Sequence, residues 1–347
     1  MSINGWRGTG ELGADYGADR SNRTEEILMA NPVVAVTDHP FPDLEPTREV
    51  LAHLGVEIRM SASVAADDVL AVAREADAVI NTYAQLPAEL IDRFERCRII
   101  ARTGIGIDTV DLAAATARGI VVTNVPEYCE DEVSDHAMAL MLALARNVTR
   151  GNSLVHGGSW DLAAVKPIHR LRGRTVGLVG FGKIARLVAA KARAFGMDVL
   201  AFDPYVDPAG AAALDVALVP FEDLLARSDF VSVHAPLTPE TRHLIGAEAL
   251  ALMRPGAVVV NTARGGLVDV AALAEALDRG AIAGAALDVL PDEPPAADLP
   301  LYGRPNVILT PHTAFYSEES VLDLQVKAAQ QVALVLSGQD PVYPVSL

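Results

Sequence analysis

Three polar residues in the second half of the chain each follow an apolar run. Arg264 lies in Asn261-Thr262-Ala263-Arg264-Gly265-Gly266, Glu293 in Pro291-Asp292-Glu293-Pro294, and His312 in Thr310-Pro311-His312-Thr313-Ala314. An arginine can grip a carboxylate with two parallel hydrogen bonds and polarise a neighbouring carbonyl. A histidine exchanges a proton near neutral pH, and an ionised glutamate beside it orients the ring and favours its charged form. Together the three could move a proton to or from an oxygen next to a carboxylate. Taken singly, each also has an ordinary reading: a surface ion pair for Arg264, a solvated loop charge for Glu293, and a hydrogen-bonded loop histidine for His312.

A second constellation precedes them. The apolar run 176–179 leads into Gly180-Phe181-Gly182-Lys183-Ile184-Ala185 and then a helical stretch stopped by Gly196. Gly180 permits a tight turn and Gly182 lets a pyrophosphate approach the backbone. The small Ala185 allows close helix–strand packing, with the phosphates at the helix N-terminus. The next apolar run, 199–202, ends in Asp203, whose carboxylate can accept from both adenosine ribose hydroxyls. NAD is therefore the expected dinucleotide. A 2′-phosphate would meet that negative charge, and Pro204-Tyr205 brings no arginine to offset it. The alternative is that Asp203 merely caps a turn before Pro204.

These residues need elements to hold them. Apolar runs at 33–37, 56–60, 78–81, 99–102 and 120–123 read as strands buried on both sides, alternating with helical patterns at 46–54, 65–73, 88–94 and 110–117. A second series of strands falls at 175–179, 199–202, 230–233, 258–261, 283–287 and 307–309. Strand–helix alternation implies right-handed crossovers and parallel sheets, so the fold class is α/β with two doubly wound, Rossmann-like or flavodoxin-like domains and an interdomain cleft. A helix over 130–146 links the two series. Val133, Ala137, Leu140, Met141 and Leu144 form one stripe, yet Met138 and Leu142 make the far side apolar too, which fits a helix squeezed between domains or a subunit interface. A helix near 318–336 could fold back on the first domain. The expected division is a mobile tail over 1–31, a substrate domain of 32–126 plus 312–347, and a dinucleotide domain of 127–311.

Composition limits the partners. With 28 Lys and Arg against 45 Asp and Glu, the net charge is -17, which repels nucleic acid and anionic membranes, so an anionic substrate needs a local arginine. Cys97 and Cys129 show neither ligand spacing nor a disulfide framework, and no metal is expected. The most apolar helical stretch, 137–145, is too short to span a bilayer, and no signal pattern opens the chain, so a cytoplasmic location is expected.

The glycine turn, Asp203, the segment His234-Ala235-Pro236-Leu237-Thr238 with Thr241, and the segments 261–269, 286–294 and 310–314 together resemble the successive signatures of the D-isomer-specific 2-hydroxyacid dehydrogenases, over about residues 33–340. The resemblance implies catalytic Arg264, Glu293 and His312. It implies NAD contacts from Gly180, Gly182, Lys183, Ile184, Asp203, Ala235, Pro236, Thr241, Thr262, Ala263, Arg264, Asp288 and His312. It also implies substrate contacts from Tyr83, Ala84, Gly104, Arg264, His312 and Phe315, and a homodimer. Residues 311–318 are most similar to the C-terminal-binding-protein branch, NADH-sensing corepressors with residual activity, although that branch has tryptophan where Phe315 stands. Ala185 replaces the family's third glycine. The expected activity is reversible hydride transfer between NADH and a small 2-keto acid. The alternatives are an NADH-sensing regulatory protein, and a phosphoglycerate dehydrogenase with no regulatory domain following Leu347.

Overall fold

A computed structural model describes residues 31–346; the expected mobile tail falls almost wholly on residues outside them. The chain divides into two compact units, Met1–Pro126 with Leu322–Leu347, and Glu127–Val321.

The first unit carries a six-stranded sheet. Its strands are β1 (Val33–Val36), β2 (Glu57–Met60), β3 (Ala78–Asn81), β4 (Ile99–Arg102), β5 (Val121–Thr123) and β13 (Pro344–Val345), in the order β13-β5-β4-β3-β1-β2. Only β13 is antiparallel, pairing with β5 through Pro344 opposite Thr123. Strands β1 and β3 are buried throughout, as valine- and isoleucine-rich central strands of a parallel sheet should be. Strand β2 departs from the expected two-sided burial because it is the sheet edge. Glu57 there is exposed and pairs with Arg59 at 2.8 Å. The helix Glu318–Leu336 returns to this sheet, packing Ala329, Val332 and Val335 against Val34, Val36, Ile80 and Ile99.

The second unit holds seven parallel strands: β6 (Thr175–Val179), β7 (Asp198–Phe202), β8 (Ala217–Leu218), β9 (Phe230–Val233), β10 (Val258–Asn261), β11 (Gly284–Leu287) and β12 (Val307–Leu309). Their order, β12-β11-β10-β9-β6-β7-β8, runs one way from β6 to β8 and the other way from β9 to β12. The switch between β6 and β9 opens a crevice at the strands' carboxyl ends, where doubly wound sheets take ligands. Two-residue β8 had no period to announce it. In the helix Glu130–Ala145, Ala137, Met138, Leu140 and Met141 pack with Ala185 and Val188 in this unit's own core.

The boundary expected at 312 lies later. Residues 312–321 belong to the second unit because the buried Asp288 carboxylate accepts from the Thr313 and Ala314 N–H groups, both at 2.9 Å.

Candidate active site

The glycine turn is held by the switch point itself. Gly180 has φ +89, and a Cβ on it would lie 2.8 Å from the Ala235 nitrogen and from the His234 carbonyl carbon. Only glycine lets the β6 and β9 loops come this close. The helix Lys183–Ala194 then starts at Gly182 with no side-chain cap, leaving its first N–H groups, including those of Lys183 and Ile184, facing the crevice end. The Lys183 ammonium is drawn to Glu127.

Asp203 follows β7. Its Oδ2 accepts from the Phe181 N–H at 2.8 Å and its Oδ1 from the Tyr205 N–H at 2.9 Å, so the carboxylate is fixed beside the turn, and each oxygen retains further lone pairs. Thr241 is engaged within its own loop, donating to the Pro236 carbonyl at 2.7 Å and accepting from the Thr238 N–H at 2.7 Å. Thr262, just after β10, has a buried hydroxyl with no hydrogen-bond partner. Such a group calls for a ligand or a water. Loss of solvent around the His234 ring pushes its pKa down to about 4, so it is neutral at physiological pH, and it hydrogen-bonds Ser232 at 2.9 Å.

The three candidate catalytic residues all lie in the second unit. Arg264 leaves β10 in extended conformation. Asn261 holds its carbonyl at 2.9 Å, and its own Nη1 donates to the Ala263 carbonyl at 2.8 Å. A Cβ on Gly265 would come within 1.9 Å of the Leu290 carbonyl carbon, so this glycine lets the arginine loop press against the loop carrying Glu293. Glu293 Oε1 accepts from the Leu290 N–H at 2.9 Å, and Oε2 lies 2.6 Å from His312 Nδ1. Burial pushes the Glu293 pKa up, but the hydrogen bonds from His312 and Leu290 and the charges of His312 and Arg264 outweigh it, and the net shift is downward.

His312 adopts φ +53, a left-handed backbone that non-glycine residues seldom take. Its N–H donates to the Asp288 carbonyl at 2.8 Å, and the Asp288 carboxylate takes the next two N–H groups and the Thr310 hydroxyl. Asp288, expected at the cofactor, is thus seen anchoring the histidine segment. His136 supports it from the helix Glu130–Ala145, with Nε2 3.1 Å from Thr310 Oγ1 and 3.4 Å from Asp288 Oδ1. Phe315 sets its ring edge-on to His312, centroids 6.1 Å apart, and lies 6.4 Å from Tyr128. Neither His136 nor Tyr128 was singled out in the sequence, since each lies far along the chain from its partner and carries no spacing signal.

Tyr83, Ala84 and Gly104 belong to the first unit. The Asp38 carboxylate accepts from the N–H groups of Thr82, Tyr83 and Ala84 at 3.1, 2.7 and 3.3 Å, fixing that loop. Gly104, with φ +146, lies under the Arg102 guanidinium, where a Cβ would collide with it.

Residues 138–314, half of the chain, match the family model described as the D-isomer specific 2-hydroxyacid dehydrogenase NAD binding domain. The chain belongs to the D-isomer-specific 2-hydroxyacid dehydrogenases. Within that family it is 41% identical over 314 residues to the D-3-phosphoglycerate dehydrogenase of Mycobacterium tuberculosis, covering 90% of this chain but 58% of that one. It therefore spans less than two thirds of the length of that relative. The glyoxylate reductase of Thermococcus litoralis is 38% identical over 275 residues, 77% of this chain and 83% of its own. Among solved structures, the D-lactate dehydrogenase of Aquifex aeolicus complexed with NAD and lactic acid superposes with a TM-score of 0.79 at 31% identity, over 88% of this chain and 96% of that one. The second unit is accordingly the family's NAD-binding domain. The uncapped helix, the Gly180 cradle and the unpartnered Thr262 hydroxyl suit a dinucleotide. Among the described residues there is no His, Cys, Asp or Glu cluster able to hold a metal ion, and no helix long and apolar enough to cross a membrane.

Proposed function

We propose that this dehydrogenase reduces a small 2-keto acid to the D-2-hydroxy acid with NADH, and runs the reverse oxidation. The observation that carries the proposal is the 2.6 Å contact between His312 Nδ1 and Glu293 Oε2 in the loops beside Arg264. Gly180, Gly182, Lys183, Ile184, Asp203, Ala235, Pro236, Thr262 and Ala263 would hold NAD, which supplies the hydride when bound. In reduction, His312 gives the proton on Nε2 to the developing alkoxide oxygen while Glu293 holds Nδ1. Arg264 binds the carboxylate and stabilises the alkoxide. Roles for Tyr83, Ala84, Gly104 and Phe315 at the substrate carry over from the family. NADH oxidation with a panel of 2-keto acids, including glyoxylate, pyruvate and 3-phosphohydroxypyruvate, tests the reading. Turnover with at least one, lost in His312→Gln with NADH affinity retained, is the expected result; no turnover with any would overturn it.

The likeness of residues 311–318 to the C-terminal-binding proteins favours a second reading, an NADH-responsive binding protein. That reading requires tight NADH binding without useful turnover on the same panel.

A homodimer belongs to the proposal. Val148, Val155, Trp160 and Leu162 leave an apolar arm exposed, Trp160 at 91%. Trp160→Glu should yield a monomer in sedimentation equilibrium. A cytoplasmic location, where NADH is regenerated and Cys97 and Cys129 remain unpaired thiols, completes the reading.

A further inference from the structure

Strands β1 and β3 of the first sheet are neighbours, with Val34, Ala35 and Val36 opposite Ala78, Val79 and Ile80. A carboxylate braces this pair at each end. At the amino end, Asp77 Oδ2 accepts from the Val33 N–H at 2.8 Å, and Oδ1 lies 2.8 Å from Arg96. At the carboxyl end stands Asp38, two residues after β1. It accepts from the Thr37 hydroxyl at 2.6 Å and from three successive N–H groups of the loop after β3, those of Thr82, Tyr83 and Ala84. The two ends are not equivalent, because parallel α/β sheets take their ligands beyond the carboxyl ends of the strands.

The loop that Asp38 holds is also braced from below. Asn81, wholly buried, donates through Nδ2 to the Ala84 carbonyl at 2.8 Å and to Thr37 Oγ1 at 3.1 Å, and its Oδ1 accepts from the Thr109 hydroxyl at 3.1 Å. Thr103, just after β4, donates its hydroxyl to the Asn81 carbonyl at 3.1 Å and lies 2.7 Å from Thr82 Oγ1. A buried polar network connected in this way specifies a single arrangement of the groups it joins. Thr82 and Ala84 are buried within it, whereas the Tyr83 residue is 43% exposed. The network therefore fixes a short stretch of backbone from which one aromatic side chain projects.

We propose that Asp38 is a positioning residue for the substrate: it presets the loop 82–84, and with it Tyr83, in the arrangement that receives the 2-keto acid. The inference rests on the dehydrogenase reading, in which Tyr83 and Ala84 meet the substrate. Asp38 acts through the backbone it holds and not by contact. Its own charge opposes an anionic ligand, so removing it has two effects of opposite sign: loss of the charge favours the anion, and loss of the preset loop disfavours it. In Asp38→Asn the side-chain oxygen can still accept from Thr82 and Ala84, but the amide nitrogen turns a donor toward the Tyr83 N–H, which loses its acceptor. A loop that is ready for ligand only about one time in ten lowers the apparent affinity about tenfold.

Calorimetric titration of the full chain, saturated with NADH, with oxamate, an unreactive analogue of a small 2-keto acid, tests the role. Asp77→Asn, which loosens the other end of the same strand pair, controls for a general loss of stability. The oxamate Kd should rise about tenfold in Asp38→Asn and stay within about twofold of the parent in Asp77→Asn, with NADH affinity unchanged in both. Unchanged or tighter oxamate binding in Asp38→Asn would overturn the proposal, as would equal weakening in Asp77→Asn or no oxamate binding by the parent. Should Asp38→Asn not fold, Thr37→Val takes its place. It keeps shape and charge but removes the hydroxyl donated to Asp38, so a weakening of about threefold is expected and equal binding would overturn the proposal. The titration reads binding and not turnover. A parent that binds oxamate and loses that binding in Asp38→Asn, yet turns over no keto acid, would overturn the dehydrogenase reading and leave the role of Asp38 standing.

Discussion

Glu293 shows how one carboxylate acquires its task. Its pKa is lowered because hydrogen bonds from His312 and Leu290 and nearby positive charge outweigh its burial. A depressed carboxyl pKa means that the charged form, and the contact with His312, persists above the ordinary carboxylate range and is lost only as pH falls through the lower, folded value. Keto-acid reduction should therefore show no acid limb near the usual glutamate pKa of about 4.3, which a profile of kcat/KM against pH at saturating NADH checks. In Glu293→Gln the charge is gone but the shape kept, so kcat/KM should fall while NADH affinity hardly changes, and an unchanged kcat/KM would require another carboxylate partner for His312. Asp203 supports a second prediction at this scale. Asp203→Ala removes an acceptor fixed beside the Phe181 N–H, so the preference for NADH over NADPH should shrink, with about 1.5 to 3 kcal/mol lost per charge-assisted hydrogen bond. Equal efficiency with both cofactors in the unsubstituted protein would count against its role.

Among the elements, loops that touch matter more than the strands that launch them. Gly265→Ala would drive a methyl group into the Leu290 carbonyl, 1.9 Å away, and must separate the loop of Arg264 from the loop of Glu293. We expect a loss of about 1 to 3 kcal/mol in urea unfolding and a larger fall in kcat/KM, as overpacking here displaces the chemistry itself. Asp288→Ala acts on the neighbouring segment. It leaves the Thr313 and Ala314 N–H groups without their acceptor and releases the left-handed backbone at His312, so stability should drop by about 3 kcal/mol and turnover with it. Normal activity in Asp288→Ala would show that the segment holds its shape without that carboxylate.

At the scale of the molecule, the two units have separate cores. Val179, Leu224, Val231 and Val259 belong to one in the second unit, and Val34, Ile80, Ile99 and Val332 to one in the first. NADH binding should therefore protect the second unit selectively. At a hundred times its Kd the ligand adds about 2.7 kcal/mol to whatever unfolds with the site. Hydrogen exchange should show slowed amides over 175–179 and 230–233 and little change over 33–36. Uniform slowing of both units would mean that they unfold together.

What the sequence determined by itself was whatever is local or periodic: the strand–helix alternation of both units, the glycine turn, Asp203 at the end of its strand, and three polar residues at strand ends. Parallel-sheet strands and phosphate-binding turns are set by residues close in the chain, so their patterns can be read directly. Tertiary structure decided what depends on contacts between distant positions. It paired His312 with Glu293, turned Asp288 toward the 310–314 segment, brought His136 and Tyr128 to that loop from another helix and turn, and made β2 a half-exposed edge. It also drew residues 312–321 into the second unit. Hydrogen bonds across such separations leave no period in the sequence, because the chain between them is free to vary while the loops still meet.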